Sequence, residues 1–417
     1  MRSRPFTLVV AALLSAPLLA APLAAQPPAC TTPDGIARPG IEVLLRDSLH
    51  LVRGKRVGLI TNHSGRDRAG TSTVDLLFKA PGVKLTALYG PEHGIRGTAR
   101  AGDKIANSVD SATGVKVWSL YGDTRVPTPE MLADIDVLVY DIQDVGARVY
   151  TYPWTLALAA EAAGKAGKPF VVLDRPNPIR NDRIDGGVLD PAFRSFVGQY
   201  PVAARYGMTP AELMRYLVGT KQVAVTLHTV PVCGYRASAW YDELRWPWLN
   251  WSPNLRTVDA ALLYPGTVFY EGTNLSEGRG TDAPFTQAGA PFLTDAQVIA
   301  DALTARKLPG VAFDVAWRTV EAGYKHGGAT IPMVRVRVTD REVVQPVEVG
   351  AWMLREMYAR HAKEWQWRTA SIDRLSGSDR LRKAVETSDA AVAALLTEWR
   401  TASVAFAASV TPYRIYR

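Results

Sequence analysis

Six short apolar runs recur between residues 55 and 230, and segments with helical signatures lie between them. The runs are Lys55–Asn62 (KRVGLITN), Val83–Gly90, Val115–Gly122, Asp136–Gly146 (DVLVYDIQDVG), Lys168–Pro178 (KPFVVLDRPNP) and Gln222–Val230. Each is short for a buried helix, and most are too nearly continuous in apolar residues for a strand with one wet face. Strands buried on both faces read this way, and they belong to parallel sheets covered by helices. The intervening segments Val74–Ala80, Pro129–Ile135, Thr155–Gly167 and Met208–Gly219 supply the covering helices. The last carries its own start signal: Thr209 as cap, Pro210 next, and Glu212 to close a capping box. The expectation is an α/β fold with a parallel-sheet domain over residues 40–260.

The pattern changes after residue 260. Ile331–Asp340 alternates apolar and polar residues as a half-exposed strand does, and most of the remainder reads as helix. A second, smaller α/β domain is expected over residues 261–417. A chain of 417 residues is long enough for both.

Residues 1–25 stand apart from the fold. Arg2 and Arg4 precede an Ala/Leu-rich run, and the small residues Ala24 and Ala25 come just before Gln26. This is the pattern of a secretory signal peptide. Pro17 and Pro22 interrupt the run and argue against a lasting membrane anchor. The expected location is secreted or periplasmic. In such a compartment Cys30 and Cys233 can pair, although spacing alone does not decide it. The formal charge of +8 includes Arg2 and Arg4, and the other basic residues are scattered. That excess suits anionic ligands or an anionic wall and gives no argument for nucleic acid.

Ligands of open parallel sheets bind beyond the carboxyl ends of the strands. The first run ends in Asn62-His63-Ser64 and the second in Glu92-His93. The central run ends in Asp141 and Asp144, followed by Arg148, Tyr150 and Tyr152. The next ends in Asp174-Arg175, with Asn177 two residues on. Taken singly, each has a structural reading as a turn residue or an ion-pair partner. Together they outline a site. A Gly/Asn/Ser-rich loop, Tyr270–Phe285, adds Glu277 and Arg279 as groups able to close over it.

Several chemistries lack their motif. No GxGxxG follows the first strand, no GxSxG elbow occurs, no HExxH is present, and Asp103 stands where a P-loop needs lysine. No cofactor is implied. Two carboxylates across a cleft, one of them kept protonated, are what glycosidic cleavage requires. Glu92, after an apolar strand and close to Tyr89, suits the acid. Trp240, Tyr241, Trp246, Trp248 and Trp251 offer flat faces for sugar rings, or else simply pack together.

The segments LYGPEHGIRG, YDIQDVGARVYTY, LDRPNP, WSPNL, EGTNLSEGRGT and IDRLSGSD together resemble the NamZ-type exo-β-N-acetylmuramidases. The likeness runs in order from about residue 40 onward. It implies a Rossmann-like domain joined to a smaller C-terminal domain, with the site between them. It also implies release of N-acetylmuramic acid (MurNAc) from the non-reducing end of MurNAc–GlcNAc peptidoglycan fragments during wall turnover. On this resemblance Glu92 is the general acid. Asp141, Asp144 or Glu277 is the second carboxylate, and retaining, inverting and substrate-assisted routes stay open. Asn62, His63 and His93 would orient the sugar or the acid, and Tyr150, Tyr152, Asp174 and Asn177 would bind substrate. Because MurNAc carries a lactyl carboxylate, Arg148, Arg175 or Arg279 is expected to meet it. Two rivals share the same cluster: a metal-dependent sugar deacetylase, and a non-catalytic muropeptide-binding protein.

Overall fold

The computed structural model describes residues 30, 32, 35–92, 94–96 and 106–417. The segment expected to be a signal peptide, residues 1–25, and His93 lie outside the described residues. The first region is built on a seven-stranded sheet. Its strands are β1 (Arg56–Thr61), β2 (Lys84–Gly90), β3 (Ser108–Val109), β4 (Lys116–Ser119), β5 (Val137–Asp141) and β6 (Phe170–Leu173). After the ribbon strands β7 (Asp185–Val188) and β8 (Ala203–Arg205) comes the seventh, β9 (Leu227–Val230).

Their order in the sheet is β3-β4-β2-β1-β5-β6-β9, and only the short edge strand β3 runs antiparallel. The six parallel strands therefore stand third-second-first-fourth-fifth-sixth in chain order, the doubly wound Rossmann arrangement. The order reverses between β1 and β5, whose last residues Thr61 and Asp141 are register partners. Every residue of β5 is buried, which accounts for its unbroken apolar run. The capping box at Thr209 and Glu212 is present at the start of the helix Pro210–Gly219.

The central strand is shorter than its apolar run suggests. It stops at Asp141, and residues 142–150 continue as irregular but fully buried chain. Buried irregular backbone has to find polar partners. Here Ser64 Oγ donates its proton elsewhere and accepts from the Gln143 N–H at 2.9 Å. Gln143 Nε2 in turn donates to the carbonyls of Asp144 (2.8 Å) and Pro176 (2.6 Å). The turn at Gly146 has φ of 78°, and a Cβ there would lie 2.4 Å from Asn177 Oδ1. Only glycine fits both demands. The helix expected from Thr155 begins at Tyr152, with Pro153 in its first turn.

The second region holds a three-stranded antiparallel sheet, β10-β12-β11, from β10 (Gln287–Gly289), β11 (Val311–Thr319) and β12 (Thr330–Val338). Six helices accompany it, from Val258–Thr267 to the 22-residue Asp389–Val410. The regions are closely joined. Helix Asp389–Val410 packs on β7, where a Cβ at Gly187 would strike the Trp399 ring. The chain end returns to the first region: the Tyr416 hydroxyl donates to Asp174 (2.6 Å), and the Ile415 N–H donates to Glu212 (2.7 Å). One apolar cluster runs from Ala37 to Tyr416. Cys30 and Cys233 form a disulfide. Among the described residues, no helix is long and apolar enough to cross a membrane.

Candidate active site

Beyond the strand ends lies an open pocket lined by Glu92, Val149, Tyr150, Thr151, Tyr152, Ser252, Tyr264 and Arg279. Strand β2 delivers Glu92, and the buried segment after β5 delivers residues 149–152. Helix Val258–Thr267 contributes Tyr264, and the glycine-rich loop contributes Arg279, so both regions build the walls. Glu92 is held at two points. Thr151 Oγ1 donates to its carboxylate at 2.9 Å, and the Tyr152 hydroxyl donates to its backbone carbonyl at 3.2 Å. The Tyr121 hydroxyl also bonds to the Glu92 side chain. Asn62 accepts from the Ser64 N–H (2.9 Å) and Oγ (2.6 Å), and its side chain lies against the Tyr152 hydroxyl.

Arg279 faces this acid from within a charge network. Its guanidinium reaches Glu271 at 2.7 Å and Glu277 at 3.3 Å, and Lys325 meets Glu277 at 3.0 Å. The Phe285 ring lies beneath it, 5.1 Å to the centroid. Burial works against the arginine's charge, but Glu271 and Glu277 outweigh it and raise its pKa above the ordinary value. Burial raises the pKa values of Tyr150, Tyr152 and Tyr264, so these walls are neutral phenols at physiological pH. Behind Tyr150 and Tyr264 sits Asp144. Burial pushes its carboxyl up to about 7, although the Val145 N–H donates to it at 2.7 Å.

A glutamate side chain, an arginine and three neutral phenols around one pocket can chemically accommodate an uncharged ring that carries an anionic substituent. Family comparison points the same way. Residues 57–259 match the model described as the N-terminal part of exo-β-N-acetylmuramidase NamZ, and residues 262–416 match its C-terminal part. The chain belongs to the NamZ family. It is 39% identical over 348 residues to the peptidoglycan β-N-acetylmuramidase NamZ of Bacillus subtilis (strain 168), covering 83% of this chain and 84% of that one. Two crystal structures of DUF1343 family proteins from Bacteroides fragilis share the fold. One has a TM-score of 0.85 at 35% identity and the other 0.73 at 25%, each covering 91% of this chain and 99% of its own.

Within this NamZ fold, the strand-end residues divide into two groups. Glu92, Tyr150, Tyr152 and Arg279 meet at the pocket, with Asn62 and Asp144 against its walls. The others are placed elsewhere. Asp141 is fully buried and chelated by Arg175, Nε to Oδ1 at 2.6 Å and Nη2 to Oδ2 at 2.8 Å, and Thr73 also donates to it. This ion pair locks the ends of β5 and β6 together and leaves neither group for substrate in this pocket. Asp174 caps the helix Pro210–Gly219 through Thr209 Oγ1 (2.8 Å) and the Ala211 N–H (2.9 Å). Asn177 donates to the Met208 carbonyl and accepts from the Ile179 N–H, which makes it a turn clamp.

Arg148 is fully buried and donates to the carbonyls of Gly187 (3.0 Å), Val202 (3.3 Å) and Leu375 (3.0 Å). Burial lowers its pKa to about 10. It ties β7, the residue before β8 and the C-terminal helices together rather than meeting substrate. Glu277 is held between Arg279 and Lys325 and supports the arginine from behind. His63 faces the Asn250 carbonyl at 3.4 Å, outside the pocket lining. The aromatic cluster packs on itself, with Trp240, Tyr241 and Trp251 buried and Tyr241 meeting Trp246, Trp248 and Trp251 edge-on; Tyr241, Trp246 and Trp251 also line a separate cavity beside Arg175. The cluster's neighbour Ser252, rather than a ring, reaches the Glu92 pocket. Among the described residues, no three His, Cys, Asp or Glu side chains cluster as metal ligands.

Thr151, Ser252, Tyr264 and Tyr121 belong to the site and carry little signal in sequence. Thr151 sits between the two tyrosines of the YTY motif and Ser252 within WSPNL, so those two were discoverable.

Proposed function

We propose that this chain is an exo-acting glycosidase that releases N-acetylmuramic acid from the non-reducing end of peptidoglycan fragments in wall turnover. The supporting observation is the convergence of Glu92 and Arg279 on one pocket walled by neutral phenols. Glu92 is the general acid: it protonates the glycosidic oxygen as the bond to the anomeric carbon breaks. Thr151 and Tyr121 fix its carboxyl for that transfer. Arg279 receives the lactyl carboxylate of the MurNAc ring. Arg148 and Arg175, the other arginines considered for this role, are buried and turned to internal partners.

For the second carboxylate we take Asp144. Asp141 is consumed by Arg175, and Glu277 by Arg279 and Lys325, whereas Asp144 has no cation within 4 Å among the described residues. Asp144 lies behind Tyr150 and Tyr264 and does not itself line the pocket, so its candidacy rests on its nearness to those walls and on a carboxyl pushed up to about 7, able to accept a proton near neutrality. A signal peptide and a Cys30–Cys233 disulfide suit a secreted or periplasmic enzyme, where wall fragments arise. Glu92→Gln assayed on a chromogenic MurNAc glycoside tests the reading, and near-normal turnover would sink it. Loss of wild-type turnover on chelation would instead favour metal-dependent hydrolysis.

A further inference from the structure

A second cavity, of about 330 Å³, shares no lining residue with the active-site pocket. It lies where the β7–β8 ribbon meets the turn after β12 and the helix Asp389–Val410. Four arginines line it: Arg183, Arg205, Arg341 and Arg400. Two of them have carboxylate partners close by. Arg341 pairs with Asp242 at 2.7 Å, and Arg400 with Glu348 at 2.9 Å. Of the three acids that line the cavity, Asp182 and Glu342 both pair with Arg180, and the third is Asp185.

Arg205 is different. It is 3% exposed and donates to the Ile179 carbonyl, but its Nε has no hydrogen-bond partner. Among the described residues, no carboxylate lies within 4 Å of it. Its register partner Asp185 accepts from the Val347 N–H at 3.0 Å, and burial drives that carboxyl toward its neutral form. Arg183, at the more open side, has only a 3.9 Å approach to Glu342. Asp185 and Asp182 offset the charge of Arg205 only from a distance, so this buried cation is incompletely compensated, and an anion entering beside it lowers the remaining cost. The remaining wall includes Val404, which is 72% exposed although it faces a cavity. The space exceeds what a bare inorganic ion fills, so the anionic group comes attached to a body.

We propose that this cavity is a second ligand site for a small organic oxyanion of about sugar size, recognised by the guanidinium groups of Arg205 and Arg183. The inference does not depend on the glycosidase reading.

The test is thermal-shift titration of the intact mature chain at constant ionic strength. The probes are inorganic phosphate, glucose 6-phosphate and glucuronate, with glucose as the uncharged control. A saturable rise in Tm with glucose 6-phosphate or glucuronate, and none with glucose, is expected; which of the two acts identifies the ligand as a phosphate ester or a carboxylate. Val404→Glu sets a carboxylate at the mouth on an exposed helix position, so the fold is preserved while the response is abolished. Arg183→Ala weakens binding by about tenfold, the loss of one charged hydrogen-bonding partner. Hydrolysis without added anion stays unchanged in both variants. The proposal is overturned if no anion shifts the wild type, or if Val404→Glu responds as the wild type does.

Discussion

Thr151 Oγ1 donates to the Glu92 carboxylate at 2.9 Å across 59 residues of chain, and the next residue, Tyr152, donates to the Glu92 backbone carbonyl. One dipeptide at a helix start thus fixes both the position and the side chain of the proposed acid. Strand β2 ends at Gly90, so Glu92 has no regular backbone of its own to hold it. Its placement comes from the helix that follows β5, a strand separated from β2 by β1.

Thr151→Val keeps the branched shape and removes the donor. The expected result is a fall in kcat of about 10- to 100-fold, the range a mispositioned general acid costs, with KM little changed. Thr151→Ser restores most of the loss. Steady-state kinetics on a MurNAc glycoside decides it, and a kcat within twofold of wild type would show that Glu92 needs no such support.

Arg279 is expected to set specificity. Arg279→Lys keeps the charge that Glu271 and Glu277 require but loses the forked geometry that pairs with a carboxylate. The kcat/KM for a MurNAc glycoside should drop by about tenfold or more, while that for the matching N-acetylglucosamine glycoside, which lacks the lactyl group, stays nearly constant. An unchanged ratio between the two substrates would remove Arg279 from substrate recognition.

The parallel sheet was legible because its central strands β1, β5 and β6 are buried on both faces and therefore read as apolar runs, while β4 and β9 are only partly buried. Strand β11 and the β7–β8 ribbon were not. β11 is a partly exposed edge strand whose apolar residues follow no clean alternation, and the ribbon strands span only four and three residues, the first of them holding Gly186 and Gly187. Glu92, placed at the pocket, was marked in the sequence by its position just after an apolar strand. Asp141, Asp174 and Asn177 carry the same local signature, yet they clamp strand and helix ends. Their roles depend on Arg175, Thr209 and Met208, partners that lie 31–35 residues away and that no local pattern pairs with them.

Asp144 gives a pH signature. Its folded-state carboxyl titrates near 7, above its ordinary value of 3.8. A raised pKa means that the neutral form is favoured in the fold. The stability it contributes is therefore complete below about pH 4 and is lost as pH rises through about 7. Asp144→Asn should flatten that slope, by a few kcal/mol at most. If Asp144 is also the base, kcat/KM in the wild type falls below about pH 7, and the variant loses both that limb and most of its activity. Chemical denaturation and pH–rate profiles separate the two effects. A wild-type profile with no ionisation near neutrality would leave Asp144 a structural acid.

The disulfide makes the last prediction. Cys30 and Cys233 close a loop of 203 residues that contains the whole parallel sheet. Next to it, Arg38 and Cys233 exchange backbone hydrogen bonds of 2.8 and 2.9 Å, which fasten the chain's amino end to the segment after β9. No residue of this clamp lines the pocket. The double variant Cys30→Ser/Cys233→Ser is therefore expected to lose about 2–4 kcal/mol of stability through the freed unfolded chain, while kcat and KM stay as in wild type. Those backbone bonds keep the amino end docked, so the variant should still fold in a reducing cytoplasm, with a lowered Tm. Equal melting temperatures for the oxidised wild type and the variant would mean that the backbone clamp alone secures this end of the chain.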